Sequence, residues 1–282
     1  MKIGITGATG QLGRIAVDKL KLYTSSDNLV ALVRSPEKAG GLGIEVRLFD
    51  YSYPETLVES LKGIDKLFLI SGSEVGQREV QHKNVIEAAK ASGVKEIIYT
   101  SLLHADTSSL NLASEHLATE LILKESGITY TILRNGWYTE NYFGSLAGAI
   151  DSGILAGSAG EGKISSASRE DYAEAAAKVL TGDGHTYKTY ELAGDIAYTL
   201  ANFVKEASEQ TGKIIQYINV SEKEYSEILI KIGLPESLAA SIASWDIGAS
   251  KDDLFDDSKT LSSLLGRPTT PLKDSIKTFL NQ

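Results

Sequence analysis

The chain has 282 residues, of which 28 are basic and 37 acidic, giving a formal net charge of −9; 42% are apolar and 23% charged. This is the composition of a folded globular protein of one large or two small domains, and its acidic balance argues against a nucleic-acid partner. It has no cysteine, and Met1 is its only methionine, which excludes disulfides, thiolate metal sites, iron–sulfur clusters and cysteine nucleophiles.

In chain order, the opening MKIGITGATG has neither the apolar core nor the cleavage pattern of a secretory signal. No apolar run approaches the ~20 residues of a membrane span, so a cytoplasmic location is expected. Short β-rich runs at 2–6, 29–33, 45–48, 66–70, 96–100 and 129–133 read as buried strands, because each is too short and too evenly apolar for a surface helix. Helical patterns at 11–23, 54–61, 78–92 and 112–126 alternate with them. This alternation predicts a doubly wound parallel α/β sheet, with ligands at the carboxyl ends of its strands. Beyond Arg134 the rhythm breaks: helices are expected at 169–180, 200–210 and after Ser221, with strands at 189–192 and near 214–218. Residues 1–135 are therefore read as a dinucleotide-binding Rossmann domain, and 136–282 as a smaller, substrate-binding α/β lobe interleaved with it.

The first predicted strand runs into Gly7-Ala8-Thr9-Gly10-Gln11-Leu12-Gly13, and a helix follows at once. Glycines at these three places permit a sharp turn, close approach of backbone to a pyrophosphate, and tight packing of helix on strand. The helix amino terminus adds free N–H groups and a positive dipole end. The second strand ends in Val33-Arg34-Ser35, with no acid before Glu37. A ribose 2′-phosphate requires a cation there, whereas unphosphorylated ribose requires a carboxylate, so Arg34 points to NADPH. Asp50 is read either as a partner of the adenine or as a turn residue ahead of Pro54. Ser71 and Gln77, after the fourth strand, are candidate contacts to ribose or nicotinamide. The small-residue stretch 156–163 is read as a flexible cover or an ordinary loop, with Arg169 reaching the cofactor or bracing that segment.

Five stretches together resemble the NmrA-like branch of the short-chain dehydrogenase superfamily over essentially the whole chain: the glycine turn, 70–78 (ISGSEVGQR), 99–106 (YTSLLHAD), 133–138 (LRNGWY) and 255–260 (FDDSKT). Within that branch the similarity is greatest to bacterial NADPH:quinone reductases. Ordinary members of the superfamily carry a Tyr-x-x-x-Lys pair after the fifth strand to protonate a carbonyl oxygen. Here Ser101 survives, but the corresponding helix reads Glu115-His116-Leu117-Ala118-Thr119-Glu120. A ketone reductase would lose a general acid worth typically ~10²–10⁴-fold. A quinone, reduced to a phenolate with a pKa of about 10 by analogy with tyrosine, tolerates that loss.

The run from Arg134 to Phe143 supplies aromatic surface suited to a planar acceptor. Asn135, Trp137 and Tyr138 are expected beside the nicotinamide or quinone, and Asn141 on the cofactor. His104 and His116 are read as structural, and no metal is expected because neither stands at ligand spacing with a carboxylate or second histidine. The expected activity is hydride transfer from NADPH to a quinone without flavin. The alternatives are a non-catalytic NADP(H)-binding redox sensor, or a reductase of dyes and other conjugated electrophiles. A homodimer is implied by the resemblance alone.

Overall fold

The structure is a computed structural model and describes residues 1–281. Its elements are, in order, β1 (Ile3–Thr6), α1 (Gln11–Leu20), β2 (Leu29–Val33), β3 (Glu45–Leu48), α2 (Pro54–Ser60), β4 (Lys66–Leu69), α3 (Arg78–Ser92), β5 (Glu96–Leu102), α4 (Ala113–Glu125) and β6 (Thr129–Asn135). There follow α5 (Phe143–Ser152), β7 (Ile154–Gly157), α6 (Arg169–Thr181), β8 (Thr189–Leu192), α7 (Leu200–Thr211), β9 (Gln216–Asn219), α8 (Glu222–Lys231), α9 (Glu236–Ala249), α10 (Thr260–Leu265) and α11 (Leu272–Leu280). Clustering of contacts divides the chain into two units. The first comprises 1–106, 112–135 and 169–191; the second comprises 107–111, 136–168 and the chain from Leu192 onward.

The first unit holds a seven-stranded sheet in the order β3-β2-β1-β4-β5-β6-β8, parallel from β3 through β6. This is the doubly wound Rossmann arrangement with one strand added beside β6. Its order reverses between β1 and β4, the kind of switch point beyond whose strand ends open α/β sheets bind ligands. Alternate strand residues face opposite sides. Val30, Leu32, Leu67, Leu69, Ile97, Tyr99 and Ile132 pack against Leu57, Leu61, Val85, Ile86 and Leu123 from the helical layer. Each such side chain taken fully out of water contributes about 1.5–3 kcal/mol.

One feature departs from the sequence expectation. Glu45–Leu48 is not a buried strand: β3 lies at the sheet edge, with Val46 and Leu48 exposed. Residues 169–191 group with the first unit and 107–111 with the second. Helix α6 packs on α1, Lys19 holds Glu170 at 2.6 Å and Glu174 at 3.7 Å, and β8 completes the sheet.

In the second unit β7 and β9 form a two-stranded parallel sheet, and α8 and α9 close a small core of Tyr225, Leu229, Ala239 and Ala243. Capping boxes start α7, from Thr199 and Asn202, and α8, from Ser221 and Glu224. In the stretch 156–163, Ala156 and Gly157 end β7 and 158–163 form an anchored loop, so the cover reading fails for a physical reason. Ser158 N–H donates to Asp246 (2.8 Å), Gly160 N–H to Asn219 Oδ1 (2.9 Å) and Lys163 N–H to Asp252 (2.7 Å). A Cβ on Gly162 would collide with the Ala249 carbonyl, so these small residues serve close packing. Among the described residues no helix is long and apolar enough to cross a membrane.

Candidate functional site

The turn after β1 assigns each glycine a distinct task. Gly7 adopts φ +59°, its N–H donates to Leu32 O at 3.1 Å, and its carbonyl accepts Gly10 N–H at 2.9 Å. Gly13 lets α1 lie on the turn: a Cβ there would sit 2.8 Å from Ala8 Cα and run into the Gly7 carbonyl. Gly10 caps α1 without a side chain, and the first turn of α1 holds no acidic residue, so its amides and dipole present an uncompensated positive end. Ala8 and Leu12 are buried, leaving their backbone to meet a ligand, while Thr9 is half-buried and Gly10 and Gln11 are exposed. A cradle that admits backbone and excludes Cβ atoms fits a dinucleotide pyrophosphate.

The segment leaving β4 is fixed from several sides. Thr6 Oγ1 donates to Phe68 O and accepts Ile70 N–H at 2.9 Å, tying the two strands at the switch point. Ser71 N–H donates to Thr100 Oγ1 (2.9 Å), Gly72 N–H to His82 Nε2 (2.9 Å), and Arg78 Nε to Gly72 O (2.7 Å). Gln77, exposed, immediately precedes α3. From α4, Glu115 Oε1 accepts the N–H groups of Gly76 (2.9 Å) and Arg78 (3.0 Å).

The helix that carries the tyrosine–lysine pair in ordinary short-chain dehydrogenases has thus become a brace. Because His82 Nε2 accepts a backbone proton, its own proton sits on Nδ1 and faces Thr119 Oγ1 at 2.9 Å. Arginine can only donate, so the Arg78 contact makes His116 Nε2 an acceptor and directs its Nδ1–H at Tyr99 OH, 2.8 Å away. Burial, with Arg78 adding to it, pulls both imidazoles down to about 3 and keeps them neutral. Ser101 donates to the wholly buried Glu120 (2.6 Å), whose carboxylate also takes a bidentate pair of hydrogen bonds from Arg134 at 2.8 Å. Arg134 reaches Glu191 (2.8 Å) and Asp106 (3.0 Å) as well, and these carboxylates raise its pKa further. His104, at φ +52°, donates its backbone N–H to Glu191. His116 is structural here, as the sequence suggested, and Ser101 is committed to Glu120.

Arg34 projects from the end of β2 and is two-thirds exposed. Its Nη1 lies 2.6 Å from Glu74 Oε1 in the β4–α3 connection, a partner that sequence order concealed. Asp50 Oδ1 accepts Ser52 N–H at 3.0 Å and Asp50 O accepts Tyr53 N–H, which is the turn role.

Asn135 ends β6, is buried, and its carbonyl accepts Leu103 N–H at 3.0 Å. In the second unit Trp137 and Tyr138 are half-buried and pinned by backbone pairing to Ala167, while Asn141 is exposed with its N–H on Tyr138 O. Tyr142 is buried against Phe203 at 5.5 Å, and the half-buried Phe143 stacks on the half-buried Phe279 at 4.7 Å. Trp245 of α9 stands edge-on to Trp137 at 5.6 Å and is fixed by Nε1–H to Asn111 Oδ1 at 2.8 Å. Nothing local in the sequence marks Trp245, since only folding brings it to Trp137. Arg169 opens α6 beside Glu170, the partner of Lys19. Among the described residues no group of three or more His, Cys, Asp or Glu could hold a metal ion.

The sequence profile of NAD(P)H-binding proteins matches residues 7–183. The chain belongs to the NAD(P)H-binding family. Among its relatives in that family, quinone oxidoreductase 2 of Escherichia coli K12 is 54% identical over 282 residues, covering 99% of each chain. The crystal structure of the E. coli NADPH-dependent quinone oxidoreductase complexed with NADPH superposes with a TM-score of 0.97 at 54% identity, covering 99% of this chain and all of that one. Triphenylmethane reductase from Citrobacter sp., complexed with NADP(H), gives 0.95 at 38% identity, over 99% of this chain and all of that one. The resemblance drawn from the motifs is borne out, as is the Rossmann fold.

Proposed function

We propose that this protein is an NADPH-dependent quinone oxidoreductase that transfers hydride directly to its acceptor. The observation that carries this reading is the full-length likeness to the E. coli quinone reductase. When bound, the dihydronicotinamide supplies the hydride. The chain's own part is alignment. The turn Gly7-Ala8-Thr9-Gly10-Gln11-Leu12 holds the pyrophosphate against the amino terminus of α1, Arg34 takes the 2′-phosphate, and Ser71 and Gln77 border the ribose and nicotinamide. Asn141 and Arg169 add cofactor contacts. Trp137 and Tyr138 offer flat surface to the acceptor, Trp245 supports Trp137, and Asn135 orients by hydrogen bonding.

No side chain needs to act as general acid. The quinone leaves as a phenolate with a pKa of about 10, which water protonates, and this agrees with the engagement of Ser101, His82 and His116 in structural hydrogen bonds. The likeness to triphenylmethane reductase supports a wider acceptor class of dyes and other conjugated electrophiles. Purified protein mixed with NADPH and a simple benzoquinone should consume nicotinamide absorbance faster than the uncatalysed mixture, without a flavin spectrum. No acceleration with any quinone or dye would replace the enzyme with a redox sensor, and yellow flavin absorbance would refute direct transfer.

A further inference from the structure

The contact between Arg34 and Glu74 is more than a loose surface pair. While Glu74 Oε1 takes Arg34 Nη1 at 2.6 Å, its Oε2 accepts Gln81 Nε2 at 2.8 Å. Gln81 is buried on α3, and its amide also reaches Ser52 Oγ at 3.3 Å. The Glu74 backbone is held too, its carbonyl accepting Gln77 N–H at 3.0 Å in a turn where Gly76 adopts φ +89°. Hydrogen bonding from Gln81 and then Arg34 holds the carboxyl below its usual range, so it is charged at neutral pH.

Dinucleotide sites that read unphosphorylated ribose place a carboxylate beyond the second strand, and those that read a 2′-phosphate place a cation there. This chain has both at one spot, the cation from β2 and the carboxylate from the β4–α3 connection. A 2′-phosphate approaching Arg34 meets a guanidinium already neutralised, and must displace Glu74 or accept a like charge beside it. An unphosphorylated ribose meets a ready acceptor.

We propose that Glu74 is a specificity-determining residue: it competes with the 2′-phosphate for Arg34 and offers an acceptor to the ribose hydroxyls of NADH, narrowing the preference for NADPH that Arg34 sets. This rests on the reading of Arg34 as the phosphate partner, and the test separates the two. Titration calorimetry with NADPH and with NADH on the wild type, Glu74→Gln, Arg34→Ala and the double variant reads binding without any acceptor. Glu74→Gln should tighten NADPH about two- to fivefold, the range of an exposed ion pair, and weaken NADH, and the gain should vanish once Arg34 is alanine. An unchanged or smaller NADPH preference in Glu74→Gln, with Arg34→Ala still selectively losing NADPH, overturns the role of Glu74 and leaves Arg34 in place. Equal losses of both dinucleotides in Arg34→Ala overturn the phosphate assignment, and the competition with it.

Discussion

His82 ties the segment after β4 to α3 through Gly72 N–H, and it does so only as a neutral imidazole. Its pKa falls to about 3 in the fold, chiefly through burial, against about 6.5 in an unfolded chain. A depressed pKa means that the unfolded state binds the proton first, so the stability from neutral His82 is fully present above about pH 6.5 and drains away as pH falls toward 3. At pH 5 the chain stands about 1.5 units below the unfolded pKa, and at about 1.4 kcal/mol per unit the loss is about 2 kcal/mol. His116 behaves in parallel, and Asp246 in the opposite sense, so the wild-type pH profile alone mixes these contributions. The difference between His82→Gln and wild type isolates His82, because glutamine can still accept from Gly72 and does not titrate. Urea unfolding followed by circular dichroism should find the variant less stable at pH 7.5, with the gap narrowing by about 2 kcal/mol at pH 5. A gap of equal size at both pH values would refute the buried neutral imidazole and the brace built on it.

The buried Asp246 carboxyl is pushed up to about 6 by desolvation, relieved in part by Ser158 N–H, and its aromatic neighbours Tyr142, Tyr217 and Tyr225 bring no positive charge. Asp246→Asn keeps an acceptor for Ser158 and should raise stability at pH 7.5 by up to about 3 kcal/mol, an advantage that shrinks below pH 6 and is gone below about pH 4; thermal melts at three pH values check this. Gly13→Ala forces α1 off the turn, so a stability loss of about 1–3 kcal/mol together with weaker NADPH binding is expected from denaturation and calorimetry. Glu120→Ala leaves Arg134 without its bidentate partner and should cost about 3–5 kcal/mol, measurable by urea unfolding, whereas Glu125→Ala on the exposed side of α4 should cost under 0.5 kcal/mol or about that.

The alternation of strands and helices, the glycine turn and the charge at the end of β2 are all legible in the amino-acid order. These features are local: an apolar run wants burial, and Gly7, Gly10 and Gly13 answer backbone demands within a few residues of themselves. The amino-acid order also showed that α4 lacks its tyrosine and lysine, though not what Glu115, His116, Thr119 and Glu120 do instead. Whatever depends on partners distant in the chain came from the fold. It moved Arg169–Glu191 into the first unit because α6 needs α1 to cover it and β8 needs β6. It put Glu45–Leu48 at an edge, buried Tyr142 against Phe203, and brought Trp245 to Trp137. The clearest case is Arg34, legible from its position as a cation for phosphate, yet set by the fold against Glu74. A strand end fixes where a charge stands, but the electrostatic environment of that charge is the sum over every neighbour that folding supplies.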